Sequence, residues 1–322
     1  MRGVRRGLLV VAFTMVAAGA AAQTSYPTRP VRVLIGFPPG TAADVTGRLV
    51  SQKLSQTFGQ QFVVENRPGA SSTIAAEMVV RAPKDGYTLL LGSVANTINA
   101  TMLKDLSYSF ENDLAPVALV TTAPNILVVH PSLPVHTVQE LIAYAKPRPG
   151  EIFYASSGNG TSPHLSGELF NLMAGVKLAH VPYKGSSDAV TDLLAGRVTV
   201  TFSPVSTVLP HIASGKLRAL ATTGSDRAAA MPELPTVAES GLPGYETSLW
   251  FGVLAPASTP RDVVERLAAA IDQALASPDM GAQLAAQGMT PAFRDPQAFA
   301  ALIHRDTEKW AKVVVASGAK LD

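Results

Sequence analysis

Six histidines, at 130, 136, 164, 180, 211 and 304, and a serine pair inside a glycine loop are the residues from which reactive chemistry would be drawn. The histidines are scattered and show no metal-ligand spacing such as H-E-x-x-H, so no metal site is expected. In "EIFYASSGNGTSPHLSGELF", Ser156 and Ser157 stand shortly before His164, the pairing that a secreted serine hydrolase would use. A nucleophile also needs a positioned base and an orienting third group, and no loop here carries the G-x-S-x-G elbow. The plainer account of His164 is a first-turn histidine whose ring packs on its own loop. Gly158-x-Gly160 lacks the third glycine of a dinucleotide fingerprint, and the Gly40 turn lacks the Gly-Lys-Ser/Thr end of a P-loop, so no cofactor is expected.

Binding is written more clearly than catalysis. In "IGFPPGTAADVTGRL", Ile35 to Leu49, a strand ends, Gly40 turns the chain, and Thr41 to Ala43 open an amphipathic helix. Unpaired backbone N–H groups at the positive end of a helix dipole favour an anion. The Ser156–Thr161 loop repeats the arrangement ahead of Ser162 and Pro163, and "HVPYKGSSDAVTDLLAG" sets Tyr183, Lys184 and Gly185 before a third helix start. Two domains aiming such turns at one cleft would clamp a small carboxylate, at strand carboxyl ends where α/β ligands bind. Trp250 and Phe251 either wall that cleft or fill a core; Trp310, among Phe299, Leu302 and Ile303, is expected to pack. An amino-acid ligand would need acceptors for its ammonium, and Asp44 and Asp188 are better explained as first-turn helix acids, which favours a non-amino-acid carboxylate.

The elements that would position these turns alternate in an α/β order. "VRVLIG", "QFVVE", "YTLLL", "VALV", "ILVV", "IFYA", "VTVTF" and "RALAT" read as strands of largely parallel sheets. Helices are predicted to start near Asp44, Ile74, Thr137, Ser162, Ser187, Thr259 and Asp295, with Thr41, Thr137 and Thr259 as caps and Pro163, Pro260 and Pro296 in first turns. Gly59, Gly175 and Gly196 suit helix ends. At the N-terminus, Arg2, Arg5 and Arg6 precede "LLVVAFTMVAAGA" and Ala20–Ala22, the pattern of a secretory signal peptide over residues 1–22. Its removal takes Lys+Arg from 26 to 23 against 24 acids and the net charge from +2 to −1, so nothing asks for nucleic acid or an anionic membrane. There is no cysteine for a disulfide or lipid anchor. An exported, periplasmic protein is expected.

The sequence resembles the Bug-type extracytoplasmic solute receptors of tripartite tricarboxylate transporters over essentially the whole mature chain. The likeness is carried in order by "YPTRPVRVLIGFPPG", Asp44 with Arg48, "VVENRPGA", "APKDGYTLL", "FENDLAPVALV", "YASSGNGTSPHLSGELF", "HVPYKGSSDAVTDLLAG" and "FGVLAPASTP". It implies a two-domain periplasmic-binding-protein (Venus-flytrap) fold, each domain a mostly parallel sheet flanked by helices, with domain 1 at 23–123 plus 246–322 and domain 2 at 124–245. It implies a monomeric receptor, not an enzyme, that delivers a dicarboxylate, tricarboxylate or aromatic acid to membrane permease subunits; a ligand-sensing partner of a membrane sensor kinase is the same fold's other use.

Carried onto this sequence, the ligand-binding candidates are Phe37, Pro39, Gly40, Thr41, Ala42 and Asp44 in the first loop, and Ser93 and Asn96 after the third strand. The facing loop adds Ser156, Ser157, Gly158, Thr161 and His164, and the second-domain wall adds Tyr183, Lys184, Gly185 and Ser186. The chain departs from the family pattern at Gly40-Thr41, where a Gly-Gly is common, at Gly69-Ala70-Ser71-Ser72, where a "GAGG"-like turn is common, and at Tyr108-Ser109, where a Tyr-Asp pair is common.

Overall fold

The computed structural model describes residues 26–318 apart from 104 and 229; the expected signal peptide lies outside the described residues. The chain begins β1 (Val31–Ile35), α1 (Ala42–Phe58), β2 (Phe62–Asn66), α2 (Thr73–Val80), β3 (Thr88–Ser93), α3 (Val94–Met102) and β4 (Leu114–Val129). It continues α4 (Val138–Ala145), β5 (Phe153–Ser156), α5 (Ser162–Ala174), β6 (Ala179–Pro182), α6 (Ser186–Leu194), β7 (Val200–Pro204), α7 (Val205–Ala213) and β8 (Arg218–Thr222). The last part is β9 (Ser248–Pro256), α8 (Arg261–Leu275), α9 (Pro278–Ala285), β10 (Thr290–Arg294) and α10 (Pro296–Ser317).

Two sheets share one strand. In the first, β2, β1 and β3 run parallel, β9 joins β3 antiparallel, and β4 and β10 complete the edge antiparallel. In the second, β6, β5 and β7 run parallel, and β7 and β8 pair antiparallel with β4. The apolar runs "VALV" and "ILVV" are thus one strand: Leu114–Pro124 pair with β9, while Asn125–Val129 pair with β7 and β8. Each sheet is parallel where helices return the chain and antiparallel at β4, which both sheets share, and at β9 in the first. β1, flanked by β2 and β3, buries Val31, Val33, Leu34 and Ile35 on both faces, as a central parallel strand requires.

Local chemistry sets the helix ends. Thr41 caps α1 by accepting the Asp44 N–H, and Thr137 caps α4 by accepting the Glu140 N–H. Gly59 and Gly175 end α1 and α5 in the left-handed region. The expected cap at Thr259 does not form: its hydroxyl donates to Pro256 O, Pro260 is the capping residue, and α8 begins at Arg261. Helices α3, α7 and α9 are additional to the expected set. α3 reads "VANTINATM", whose Asn and Thr residues lack helix propensity, and α7 carries Pro210 in its interior, so tertiary packing overrides the local signal.

Candidate functional site

A cavity of about 170 Å³ lies between the two sheets and meets both. From the first sheet come Phe37, Thr41, Ala42 and Ala43 after β1, Ser93 at the end of β3 with Val94 and Ala95 after it, and Leu249 and Phe251 on β9. From the second come Ser157, Thr161, Ser162 and Pro163 after β5, Ser186 after β6, and Pro204 at the end of β7; Asn125 of the shared strand completes the wall. Five helices, α1, α3, α5, α6 and α7, therefore begin at or beside this cavity. First-turn N–H groups such as those of Ala42, Ala43, Val94 and Ala95 have no intrahelical acceptor and sit at the positive ends of their helices. Among the described residues that line the cavity none is ionisable.

The sequence candidates separate into residues that reach the cavity and residues that brace it. Phe37, Thr41, Ala42, Ser93, Ser157, Thr161 and Ser186 line it. Pro39 and Gly40 are exposed on the turn outside it, and the Gly40 N–H is committed to Asp44 Oδ2 at 2.9 Å. Asp44 is a structural clamp: its buried carboxylate accepts from Gly40, from Arg48 Nε at 3.0 Å and from Asn66 Nδ2 at 2.9 Å, while Asn66 also donates to Phe37 O. Burial opposes its charge, but the bonds from Arg48, Gly40 and Asn66 outweigh it and hold the carboxyl below its usual range.

On the facing side Ser156, Gly158 and His164 form the underside of the loop. Ser156 Oγ lies 2.6 Å from His180 Nε2 and accepts the Gly158 N–H, and His164 Nδ1 accepts the Gly160 N–H at 3.1 Å. The rings of His164 and His180 stack with centroids 4.0 Å apart, and His180 in turn tilts against Tyr154. Burial, reinforced at His164 by His180, depresses the pKa of His164 to about 3; burial alone takes that of His180 to about 4. Both imidazoles are therefore neutral braces at neutral pH. The hydrolytic pair Ser156/Ser157 with His164 does not form: Ser156 meets His180 instead, is 1% exposed and does not line the cavity.

Asn96 sits behind Ser93, whose N–H donates to Asn96 Oδ1 at 3.0 Å. Tyr183 turns along α6, where its hydroxyl donates to Asp192 Oδ2; Lys184 is exposed, Gly185 precedes α6, and neither lines the cavity.

Wall residues outside the candidate set include Asn125, Ser162, Pro163, Pro204 and Leu249. Asn125 Nδ2 donates to Ser162 Oγ at 2.8 Å and Ser166 Oγ at 3.2 Å, tying the shared strand to the start of α5. Strand alternation resolves the aromatic pair on β9: Phe251 faces the cavity and meets Phe37 edge-on, with centroids 6.4 Å apart. Trp250 points the other way, onto Phe299, with Nε1 donating to Asp306 Oδ2 at 2.7 Å. Pro204 ends β7 directly before α7, a helix start that local sequence signals do not mark.

The tripartite tricarboxylate transporter family receptor profile matches residues 46–319. Protein BugT of Bordetella pertussis is 39% identical over 321 residues, covering 98% of each chain. The structure of R. palustris Rpa4515 with adipate superposes with a TM-score of 0.79 at 38% identity, covering 92% of this chain and all of that one. MatC (Rpa3494) from Rhodopseudomonas palustris with bound malate gives 0.75 at 30% identity, covering 90% of this chain and all of the other. The two-sheet fold and this extent of similarity agree: the chain belongs to the tripartite tricarboxylate transporter receptor family, whose members are solute-binding receptors and not enzymes.

Proposed function

We propose that the protein is an exported receptor that captures a small carboxylate in the cavity between its sheets and hands it to the permease of a tripartite tricarboxylate transporter. The observation that carries this reading is the convergence of five helix N-termini, from both sheets, on a cavity with no ionisable wall. Such a wall stabilises one negative group through backbone and hydroxyl dipoles and leaves no fixed countercharge behind once the ligand departs. Relatives solved with adipate and malate bind molecules of this kind.

In this reading the carboxylate is met by N–H groups of Ala42, Ala43, Val94 and Ala95 and by the hydroxyls of Ser93, Ser157 and Ser186. Residues 23–123 plus 246–322 form one lobe and 124–245 the other, closing about β4 and the segment just ahead of β9 as ligand binds. The receptor works as a periplasmic monomer after loss of residues 1–22.

Thermal unfolding of the signal-free protein against a panel of mono-, di- and tricarboxylates tests the proposal. A true ligand at about 100 times its Kd adds ~2.7 kcal/mol, or a rise of about 4 °C for a chain of this size. No shift with any member of the panel would reject it.

A further inference from the structure

Resting on that receptor reading, we infer that Asn125 is a positioning residue for ligand capture: its side-chain amide holds the Ser162 hydroxyl as a hydrogen donor on the cavity wall and, through Ser166, ties that donor to both chain segments that join the sheets. Asn125 is 1% exposed, lies where β4 passes from one sheet to the other, and lines the cavity, as Ser162 does at the start of α5. Its Nδ2 is 2.8 Å from Ser162 Oγ and 3.2 Å from Ser166 Oγ, one helical turn further on.

Ser166 fixes which end of the amide meets α5. A serine hydroxyl has one hydrogen to give and two lone pairs to fill. Ser166 donates to Ser162 O at 2.8 Å, so towards Asn125, and towards Thr247 Oγ1 at 2.7 Å, it can only accept. The Asn125 amide must therefore present its nitrogen, and Ser162 Oγ receives one of that nitrogen's hydrogens. Ser162 keeps its own hydrogen uncommitted, since among the described residues its hydroxyl donates to no protein group. A ligand carboxylate oxygen is the acceptor that hydrogen lacks, and a hydroxyl that is itself accepting a hydrogen bond donates more strongly.

The same contacts continue into the frame of the molecule. Thr247 O accepts Thr223 Oγ1 at 2.7 Å, and Thr223 Oγ1 accepts the Asn125 N–H at 2.9 Å, closing a ring of four buried residues; the Tyr245 hydroxyl adds a bond to Ser166 O at 2.8 Å. Asn125 stands on β4 and Thr247 just ahead of β9, the two places where the chain enters and leaves the second sheet. The direction of the Ser162 donor is thus set by those joins and not by the glycine loop that precedes it.

A double-mutant cycle on the signal-free protein, read by calorimetry with succinate, adipate and benzoate as probes, tests this; the tightest binder of the three carries the cycle. Ser162→Ala removes the donor and is expected to weaken binding about ten- to a hundredfold, the range of a hydrogen bond to a charged group. Asn125→Leu, close in volume, keeps the Ser162 hydroxyl but frees it to turn; it is expected to weaken binding about tenfold alone and less than about twofold in the Ser162→Ala background. Ser166→Ala, outside the cavity wall, is expected to weaken binding about threefold with the same dependence on Ser162, and it carries the cycle if Asn125→Leu does not fold. A merely structural role for Asn125 would lower the unfolding midpoint and leave the two affinity losses multiplicative. Multiplicative losses, or undiminished binding by Ser162→Ala, overturn the inference while leaving the receptor reading intact. If none of the three probes binds, the inference is rejected, and the receptor reading falls with it only if every carboxylate on the broad panel also fails.

Discussion

His164 stands seven residues after Ser157 and a little further from Ser156, close enough in sequence to suggest a pair, yet the fold gives it a different task. Its Nδ1 accepts the Gly160 N–H, its ring stacks on His180, and His180 holds Ser156. Two neutral imidazoles therefore support the loop that faces the cavity. Both are depressed below the ~6.5 of an unfolded histidine. The unfolded chain consequently takes up protons first as the pH falls, so this contribution is complete above about pH 6.5 and is lost as pH falls from there towards 4. Glu168, raised by burial and bonded to the Tyr154 hydroxyl, titrates in the opposite sense, one proton against two. Urea unfolding is expected to show stability falling by roughly 1 kcal/mol per pH unit between pH 6.5 and 5, after discounting for the partial exposure of His180. The double substitution His164→Asn with His180→Asn should flatten that slope; an equally steep profile in the double variant would assign the acid sensitivity elsewhere.

At the scale of elements, the turn between β2 and α2 shows how the first-sheet wall is held. Ala70, Ser71 and Ser72 have φ values of 44°, 49° and 77°, three consecutive left-handed residues without a glycine. Asn99 on α3 latches them, its Nδ2 donating to Ala70 O, Ser71 O and Thr73 Oγ1. Ser72 fills the space beside Gly36, where a Cβ would lie 2.2 Å from Ser72 Oγ, and Gly36 immediately precedes Phe37 of the cavity. The left-handed region costs a non-glycine residue about 1–2 kcal/mol, part of which a glycine returns through unfolded-state entropy. Ser71→Gly is therefore expected to stabilise the protein by about 0.5–1 kcal/mol in urea titrations. A loss of stability would mean that the Ser71 side chain contributes something the backbone argument omits.

The same scale shows what the sequence made legible. Strand-to-helix turns with a cap, such as Thr41 before α1, could be located because each signal is local: an apolar run, a punctuating glycine or proline, then helical spacing. The polar helix α3 and the proline-containing α7 could not, because their stability comes from contacts made in the folded protein. The candidates that lie off the cavity share one cause. Loop residues such as Gly40, Gly158 and Asp44 were marked by type, but their polar groups are turned inward to build the loop, whereas Asn125, Leu249 and Phe251 arrive from β4 and β9, distant in sequence. Whether a β9 aromatic faced the cavity or the core depended on strand register, and that is set by pairing with β4.

For the molecule as a whole, the decisive place is where β4 passes between the sheets, beside Thr247 just ahead of β9. There Thr223 Oγ1 accepts the Asn125 N–H at 2.9 Å and donates to Thr247 O at 2.7 Å, and Thr223 N–H donates to Asn125 O. Thr223 is fully buried, so Thr223→Val, of similar shape, strands one donor and one acceptor and should cost about 3 kcal/mol in equilibrium unfolding. An unchanged midpoint would show that this crossing is not a point of rigidity.

The position of a bound carboxylate decides whether the helix N-termini form the binding site. A crystal structure of the signal-free protein with its tightest-binding carboxylate would answer this directly. The carboxylate oxygens are predicted to lie within hydrogen-bond distance of first-turn N–H groups from both sheets, with Ala42 or Ala43 on one side and Ser162 or Ser186 on the other. A carboxylate paired instead with Lys184, or seated outside the cavity walled by Phe37 and Phe251, would contradict it.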